Sequence, residues 1–264
     1  MNSRSLDGAV ALVTGAGPGI GRSCAVALAA DGADIVVAAR RPEPLAELAA
    51  EIETTTGRRV VATPTDISDV DQCRAAVDET VAEFGRIDVV VNVATHGGSP
   101  SASVADIDWE EYRQSVQVNV IGTMEICRAA GRHMAEAGGG SIVNISALSA
   151  TTLMADLARY TSTKGAMESM SKTMAKEVGP LGVRVNIVTP GMTNGPQLDE
   201  LFQRMAVAQA RTPEEVSARF AAGAAMRRHV DPEDIAEAVL FLASPRARNI
   251  TGQEIQVTAG QHIS

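Results

Sequence analysis

Tyr160 and Lys164 are the pair of side chains whose types and spacing could move a proton. Residues four apart share a face of a helix, so the phenol and the ammonium would point to one site. A nearby ammonium favours the phenolate and is expected to lower the tyrosine pKa from about 10 towards neutrality. This spacing predicts that Tyr160 is a general acid for reduction and a general base for oxidation. The alternative is a surface tyrosine that lies beside a lysine.

A glycine-rich turn, Thr14-Gly15-Ala16-Gly17-Pro18-Gly19-Ile20-Gly21, follows a short apolar run and opens a helical pattern. Glycines there let backbone N–H groups approach a pyrophosphate, and a helix N-terminus adds positive potential. The alternative is a purely structural turn, since many turns are rich in glycine. The strand-turn-helix context favours a dinucleotide site, and the residues expected to bind it are Gly15, Gly17, Gly19, Ile20 and Gly21.

The end of the second apolar run indicates which dinucleotide is preferred. A site selective for NAD needs an acidic residue there, which accepts a hydrogen bond from the ribose 2′-hydroxyl. This chain has Ala39, followed by Arg40 and Arg41. Without the carboxylate a 2′-phosphate is not repelled, and an arginine can bind it through charge-assisted hydrogen bonds. We therefore predict NADP(H), with NAD(H) as the alternative if the two arginines are only solvated.

Seven short apolar runs, bounded by turn residues, alternate with helical patterns along the chain. This alternation predicts an α/β fold, a doubly wound parallel sheet of about seven strands with helices on both faces. Because no repeat or linker divides the chain, we expect one domain over residues 1–264. The predicted strands are Ala9–Thr14, Ile35–Ala39, Arg59–Thr63, Ile87–Asn92, Ser141–Ile145, Val183–Val188 and Glu254–Val257. One predicted helix starts at Ser68 as its N-cap and repeats apolar residues at helical spacing.

The wider pattern Thr-Gly-x-x-x-Gly-x-Gly resembles that of the short-chain dehydrogenase/reductase family, which has a Rossmann-type fold. Asn119, Tyr160-x-x-x-Lys164 and Pro190-Gly191 occur in the family's order. The ending PEDIAEAVLFLASPRARNITGQEIQV is also similar to the family's last helix and strand, so the likeness covers nearly the whole chain.

The resemblance implies roles for individual residues. Lys164 would also hold the nicotinamide ribose, Asn119 would organise a proton relay through water, and Asp66 would contact the adenine amino group. It also implies a homotetramer or homodimer. The further cofactor-binding positions expected are Ile67, Asn92, Ala94, Pro190, Gly191 and Thr193.

One departure from the family concerns the active site. The family places a serine about 13 residues before the tyrosine, with its hydroxyl directed at the substrate oxygen, but this chain has Ala147 there. Losing such a donor typically costs about 10² to 10³ in rate. Ser146 or Ser149 could substitute through a local shift, or a substrate group or water could do so. The alanine could also be a deliberate substitution. Because side chains alternate along a strand, Ser146 should point away if the strand extends that far.

A second departure follows the fourth predicted strand, where the family's Asn-Asn-Ala-Gly is Asn92-Val93-Ala94-Thr95. We expect the strand to end here as in the family, with a local adjustment of the backbone near the nicotinamide because Thr95 replaces a glycine. His96, next along the chain, could contact substrate, although an ordinary loop histidine is the simpler interpretation.

The resemblance also implies a mobile substrate lid at about 191–228. Helical patterns are expected around Gln197–Gln209 and Pro213–Ala222. Their apolar residues could line a substrate pocket or simply pack together. Arg204 and Arg211 could recognise an acidic substrate or remain solvated. The apolar positions concerned are Leu198, Leu201, Phe202, Met205, Val216, Phe220 and Met226.

Composition excludes several classes of function. The 264 residues carry 23 basic and 32 acidic side chains, a net charge of −9, which disfavours nucleic acid as a partner. Cys24, Cys73 and Cys127 form no Cys-x-x-Cys pair and are expected to be buried thiols rather than disulfide or zinc ligands. The histidines have no metal-ligand spacing, so we expect no catalytic metal. No apolar run reaches the roughly 18 residues of a membrane span, and we expect a cytoplasmic protein.

Together these patterns predict an NADP(H)-dependent oxidoreductase that interconverts a secondary alcohol and a ketone, with a small carbonyl or alcohol compound as its substrate. The alternative is a catalytically silent dinucleotide-binding or sensor protein on the same fold. Ala147 supports that alternative, whereas Tyr160, Lys164 and Asn119 argue against it.

Overall fold

A seven-stranded parallel sheet forms the centre of the computed structural model, which describes residues 4–98 and 102–263. Its strand order is β3-β2-β1-β4-β5-β6-β7. This confirms the predicted α/β fold, and each predicted strand overlaps an observed one. The strands are β1 (Val10–Thr14), β2 (Asp34–Ala39), β3 (Val60–Pro64), β4 (Val89–Asn92), β5 (Gly140–Ile145), β6 (Val183–Pro190) and β7 (Glu254–Val257).

Ten α-helices are assigned among the described residues, most of them between successive strands. A six-residue π-helical turn, Gln117–Gly122, joins the fourth and fifth helices end to end. The helices are α1 (Ile20–Ala30), α2 (Pro42–Thr56), α3 (Val70–Phe84), α4 (Trp109–Val116), α5 (Thr123–Glu136), α6 (Ser149–Thr152), α7 (Ala158–Val178), α8 (Pro196–Gln209), α9 (Pro213–Ala222) and α10 (Pro232–Ala243).

The start of α3 differs from the sequence prediction. Asp69, not Ser68, is its N-cap, and the Asp69 carboxylate accepts hydrogen bonds from the backbone N–H groups of Asp71 and Gln72. Ser68 instead donates both its backbone N–H and its hydroxyl to Asp66 Oδ1, at 2.9 and 2.8 Å. Both residue types cap helices well, so local propensity could not separate them.

The sheet buries both of its faces, which explains its continuously apolar strands. In β1, Ala11 and Val13 pack into a core shared with α1, α2 and α10. Leu12, between them, belongs to a second core shared with α3, α5 and α7. This alternation sends successive side chains to opposite faces. All three cysteines are free and buried, as predicted, and burial raises the thiol pKa of each to about 12.

The strand order reverses between β1 and β4, so their carboxyl ends border a crevice of the kind that binds ligands in such sheets. A buried chain of polar side chains fixes these ends. Thr14 donates to Asn92 Oδ1 at 3.0 Å, Asn92 Nδ2 donates to Asn144 Oδ1 at 2.8 Å, and Asn144 Nδ2 donates to Ser171 Oγ at 2.8 Å. Because each buried group has a partner, the strand ends are held in one arrangement.

The helices α8 and α9 form a pair beyond the end of β6, with a small apolar core of their own. Their bounds match the two helical patterns predicted there. Phe202 of α8 lies with its ring centroid 5.7 Å from that of Phe220 of α9. Of the apolar positions considered as pocket lining, Leu198, Leu201, Phe202, Met205, Val216 and Phe220 contribute to this core, whereas Met226 is 59% exposed.

None of the helices in the described part of the chain combines the length and the apolar character needed to cross a membrane.

Candidate active site

The glycine turn after β1 is shaped by close approaches of the backbone. A Cβ on Gly15 would overlap the backbone nitrogen of Ala94, and one on Gly21 would overlap the carbonyl oxygen of Gly15. Gly19 has a φ of 93°, which glycine adopts readily. Gly17 differs, because a Cβ there would meet no atom within 4 Å. Folding therefore requires Gly15 and Gly21, whereas the space at Gly17 is open to a ligand.

The first turn of α1 has the properties of an anion site. No side chain caps it, since its N-cap is Gly19, and no acidic residue lies in the turn. Its N-terminal N–H groups and dipole can therefore face a phosphate. Ile20 and Gly21, both predicted to bind the cofactor, are the first two residues of this helix.

Arg40 and Arg41 follow β2 directly, and Arg41 is the N-cap of α2. Both are exposed, and neither has an ion-pair partner among residues 4–98 and 102–263. Ala39, the last residue of β2, carries no charge that would repel a phosphate.

The loop after β3 packs against the π-helical turn. Gln117 Nε2 donates to the Ser68 carbonyl at 2.8 Å, and a Cβ on Gly122 would overlap the carbonyl oxygen of Ile67. Ile67 is buried and Asp66 half-buried. The Asp66 carboxylate accepts two hydrogen bonds from Ser68, so it is positioned by its own loop.

Tyr160 and Lys164 lie one turn apart near the start of α7, as predicted. Lys164 is 3% exposed, and its Nζ lies 5.7 Å from the centroid of the Tyr160 ring. The ammonium donates to the carbonyl oxygen of Ile145, the last residue of β5, at 2.8 Å. Burial lowers the pKa of Lys164 to about 8, and the nearby Glu168 carboxylate offsets part of that decrease.

The expectation that Lys164 lowers the Tyr160 pKa is wrong when only the protein's own groups surround the phenol. Burial raises the pKa of the Tyr160 phenol above 10, and a side-chain hydrogen bond with Thr95 offsets part of the rise. Desolvation penalises the phenolate, and the ammonium is bonded to Ile145 instead. The phenol therefore keeps its proton at neutral pH, the form needed for proton donation.

Asn119 lies within the π-helical turn and is 1% exposed. Its Oδ1 accepts hydrogen bonds from the His96 backbone N–H at 2.7 Å and from the Thr95 hydroxyl at 3.1 Å. Its Nδ2 donates to the His96 carbonyl at 2.8 Å and to Thr163 Oγ1 at 2.9 Å. The side chain thus ties the loop after β4 to α7, one turn from the tyrosine. π-Helical turns often occur at functional sites.

The loop after β4 connects the glycine turn to Tyr160. Ala94 touches Gly15, the Thr95 hydroxyl donates to Asn119 Oδ1, and a Cβ on Gly98 would lie 3.7 Å from Tyr160 Cζ. β4 ends at Asn92 as expected, and Thr95 does not adopt a positive φ, so the replaced glycine leaves no backbone strain. The His96 ring lies with Nδ1 3.1 Å from Ser115 Oγ.

The residues around Ala147, where the family has a serine, differ in their burial and hydrogen bonds. Ser146 is buried and donates its hydroxyl to the Glu168 carboxylate of α7. Ala147 and Ser149 are half-buried, and Ser149 begins α6. The Ser149 hydroxyl has no hydrogen-bond partner among the described residues, whereas the Ser146 hydroxyl is bonded to Glu168.

The end of β6 is held by the C-terminal segment. Gly191 donates its N–H to the Val257 carbonyl at 2.9 Å, and Met192 donates to Gln261 Oε1 at 2.8 Å. A side chain on Gly191 would overlap that Gln261 oxygen. Thr193 forms an isolated parallel bridge with Val230, which closes the base of the α8–α9 pair.

Several residues of the site were missed by sequence reasoning. Thr95 was recognised only as a departure from a pattern, and Thr163 not at all. Glu168 had a usable signal, because it lies four residues after Lys164 and so on the same helix face. Within the described residues, no group of three or more His, Cys, Asp or Glu side chains could hold a metal ion.

Comparison with known proteins agrees with this geometry. Residues 15–262 match a family model described as enoyl-(acyl carrier protein) reductase. An uncharacterized oxidoreductase of Methylorubrum extorquens is 38% identical over 255 residues, 97% of this chain and 98% of the relative. The chain belongs to the short-chain dehydrogenase/reductase family.

Two solved structures of this family resemble the chain over almost their full length. L-Sorbose reductase from Gluconobacter frateurii, complexed with NADPH and L-sorbose, has a TM-score of 0.92 and 28% identity, covering 98% of each chain. Carveol dehydrogenase from Mycobacterium avium, in complex with NAD, has a TM-score of 0.91 and 30% identity, covering 97% of this chain and 98% of the other. Because one holds NADPH and the other NAD, family membership does not decide the choice of cofactor.

Proposed function

We propose that this chain is an NADP(H)-dependent oxidoreductase that interconverts a secondary alcohol and a ketone. The observation that carries the proposal is the continuity of the site. The glycine turn touches Ala94, and Gly98 of the same loop lies against the Tyr160 ring, so the predicted dinucleotide site and the proton donor border one loop. The names of the two similar structures, L-sorbose reductase and carveol dehydrogenase, support a small alcohol or ketone substrate.

The residues fit a dinucleotide. The open space at Gly17 and the uncapped first turn of α1 suit a pyrophosphate. We propose that Gly15, Gly17, Gly19, Ile20 and Gly21 hold it. When bound, the nicotinamide would supply the hydride. The remaining cofactor-binding residues that we propose are Asp66, Ile67, Asn92, Ala94, Tyr160, Lys164, Pro190, Gly191 and Thr193.

Arg40 and Arg41 support the preference for NADP(H). Exposed guanidinium groups without ion-pair partners among the described residues are available for a 2′-phosphate, to which each can donate several hydrogen bonds. Ala39 leaves no carboxylate to accept from a ribose 2′-hydroxyl.

Tyr160 would transfer the proton. Its raised pKa favours the neutral phenol, which donates a proton to a carbonyl oxygen during reduction. Lys164 would stabilise the resulting phenolate by its charge and hold the nicotinamide ribose. Asn119 would organise the relay that returns the proton. Ser146 and Ser149 remain candidates for the hydroxyl that Ala147 lacks, with Ser149 favoured because Ser146 is bonded to Glu168.

The direct test is a turnover assay with NADPH, and with NADH in parallel, over a panel of ketones, together with Tyr160→Phe. We expect Tyr160→Phe to lower kcat by about 10² to 10⁴ while dinucleotide binding is retained. Tyr112→Phe is the matched control, since Tyr112 is the other of the chain's 2 tyrosines. Tight dinucleotide binding without turnover on any ketone or alcohol would instead support the silent binding protein.

We also propose that the chain is one domain and that its α8–α9 segment, about 191–228, is a substrate lid. We further propose that the chain forms a homotetramer or homodimer. A groove of about 660 Å³ between α5 and α7 supports self-association. It is lined in part by Met170 and Leu181, which are 46% and 53% exposed. Sedimentation of the chain and of Met170→Glu tests this, since a buried charge should dissociate the assembly.

A further inference from the structure

A row of ionisable side chains of alternating charge continues along α7 beyond the lysine of the site. Lys164, Glu168 and Lys172 follow one another at intervals of four residues, so they share one face of the helix. Lys172 Nζ lies 3.5 Å from Glu254 Oε2 of β7. Of this row, the proposed function uses Lys164 alone, and the carboxylate beside it has no role there.

Lys164 and Glu168 are bonded to two consecutive residues at the end of β5. The Lys164 ammonium donates to the Ile145 carbonyl oxygen at 2.8 Å, and the Glu168 carboxylate accepts from the Ser146 hydroxyl. Consecutive Cα atoms are only about 3.8 Å apart. The two side chains therefore leave the same face of α7 and end at the same place, so their opposite charges are close neighbours.

The surroundings of this pair make the carboxylate charge important. Lys164 is 3% exposed and Glu168 is half-buried, so water screens the two charges weakly. The hydrogen-bond acceptor of the ammonium, the Ile145 carbonyl, is polar but uncharged. Burial lowers the pKa of Lys164 to about 8, and the Glu168 carboxylate acts in the opposite direction. A lysine in this position loses its charge at mildly alkaline pH unless a negative group supports it.

We propose that Glu168 is a positioning residue whose carboxylate keeps the Lys164 side chain in its ammonium form at the Ile145 carbonyl. This inference rests on the proposed function, in which the ammonium stabilises the Tyr160 phenolate and holds the nicotinamide ribose. A neutral amine would supply no charge to the phenolate. Glu168 acts only through Lys164, and it neither gives up nor takes a proton in the reaction.

Other charged or titratable groups lie on the elements around this pair. They are Tyr160, Arg159 and Lys172 on α7, Glu111 on α4, His96 in the loop after β4, Glu254 on β7 and His262 in the C-terminal segment. Four of them form two ion pairs, Arg159 with Glu111 and Lys172 with Glu254. Glu168→Gln changes none of these charges, and its amide oxygen can still accept from Ser146. The variant therefore isolates the charge of the carboxylate.

The test follows the titration of Lys164 by carbon-13 NMR of the lysine Cε atoms. The chain has only 3 lysines, so Lys172→Arg and Lys176→Arg assign the signals. We expect Glu168→Gln to lower the Lys164 pKa from about 8 by about one unit, and Glu168→Asp to return it towards the parent value. Glu254→Gln is the matched control and should shift the Lys164 pKa by less than about 0.3 unit, because Glu254 pairs with Lys172.

An unchanged Lys164 pKa in Glu168→Gln overturns the inference. Circular dichroism at each pH verifies that the variants are folded. If Glu168→Gln does not fold, Glu168→Asp and Glu168→Asn form a second pair that differs in the same charge. Equal Lys164 pKa values in that pair overturn the inference as well.

The pH profile of kcat is the second measurement. A decrease of the Lys164 pKa from about 8 to about 7 reduces the charged fraction at pH 8 from about a half to about a tenth. We therefore expect Glu168→Gln to lower kcat about fivefold at pH 8 and to approach the parent chain near about pH 6. Glu168→Asp should restore much of the loss.

A loss of kcat that is equal at every pH would show a merely structural role for Glu168 and overturn the inference, and so would an unchanged kcat at pH 8. Absence of turnover in the parent chain overturns the proposed function. The NMR titration needs neither substrate nor dinucleotide, so it still decides whether Glu168 keeps Lys164 charged.

Discussion

The hydroxyl of Ser146 donates to the carboxylate of Glu168, one helical turn beyond Lys164. Burial raises the pKa of Glu168, and the hydrogen bond from Ser146 is the largest effect opposing that rise. Lys164, in the turn between Glu168 and Tyr160, has its ammonium on the Ile145 carbonyl. The hydroxyl of the serine adjacent to the family's position is thus bonded to a half-buried carboxylate.

Restoring serine at position 147 should increase turnover. We expect Ala147→Ser to raise kcat by about 10² or more, because it adds a hydroxyl at the position from which the family directs one to the substrate oxygen. The measurement is NADPH consumption over the ketone panel. Ser146→Ala tests the neighbouring candidate, and we expect it to change kcat by less than about threefold, since the Ser146 hydroxyl is bonded to Glu168.

The Ser149→Ala variant separates the remaining alternatives. A loss of about 10² or more in kcat would assign the missing hydroxyl to Ser149. If Ala147→Ser leaves an active chain unchanged, another hydroxyl or the substrate itself has already replaced the family's serine.

Two glycines of the turn should respond differently to alanine. Gly17→Ala meets no atom of the protein, so stability should change by less than about 1 kcal/mol. Its methyl group would crowd the dinucleotide, and a cost of about 1–3 kcal/mol would weaken binding about 5- to 150-fold. Gly21→Ala would overlap the Gly15 carbonyl and should destabilise the fold by about 1–3 kcal/mol or more.

Thermal unfolding and fluorescence titration with NADPH measure the two effects of these glycine variants. Unchanged affinity in a folded Gly17→Ala variant would show that the dinucleotide does not approach this turn.

Arg40 and Arg41 should set the choice between the two dinucleotides. Replacing both by alanine removes charge-assisted hydrogen bonds worth roughly 1.5–3 kcal/mol each, so the Kd for NADPH should rise at least about tenfold. The Kd for NADH should change little, because it has no 2′-phosphate. Arg248→Ala is the control, as another exposed arginine, which follows the short 3-10 turn after α10. Equal losses for both dinucleotides would contradict the assignment.

Lys164 should make stability depend on pH. Its pKa is about 8 in the folded chain, against about 10.4 for an unperturbed lysine, so between these values the unfolded state binds more protons. The contribution of Lys164 to the free energy of unfolding therefore rises with pH between about 8 and 10.4, and it is constant below about pH 8. Relative to Lys164→Met, the native chain should gain up to about 3 kcal/mol between pH 8 and 10.4.

Urea unfolding of both proteins across this range measures that difference. Parallel pH curves for the native chain and Lys164→Met would contradict the lowered pKa.

The sequence by itself determined the α/β fold and its strands, because buried parallel strands and amphipathic helices have different periodicities. It also located the tyrosine, the lysine and the glycine turn, since helical spacing and backbone approach are local properties. The N-cap of α3 was misassigned because Ser68 and Asp69 are equally suited locally.

Tertiary structure alone decided the electrostatics and the polar partners. The Tyr160 pKa rises rather than falls, because burial disfavours the phenolate and the Lys164 ammonium is bonded to Ile145 instead. Thr95 reaches Asn119, which lies 24 positions away along the chain, and Ser146 reaches Glu168, 22 positions away. Desolvation and such contacts depend on how separate elements pack against each other, and no spacing along the chain encodes them.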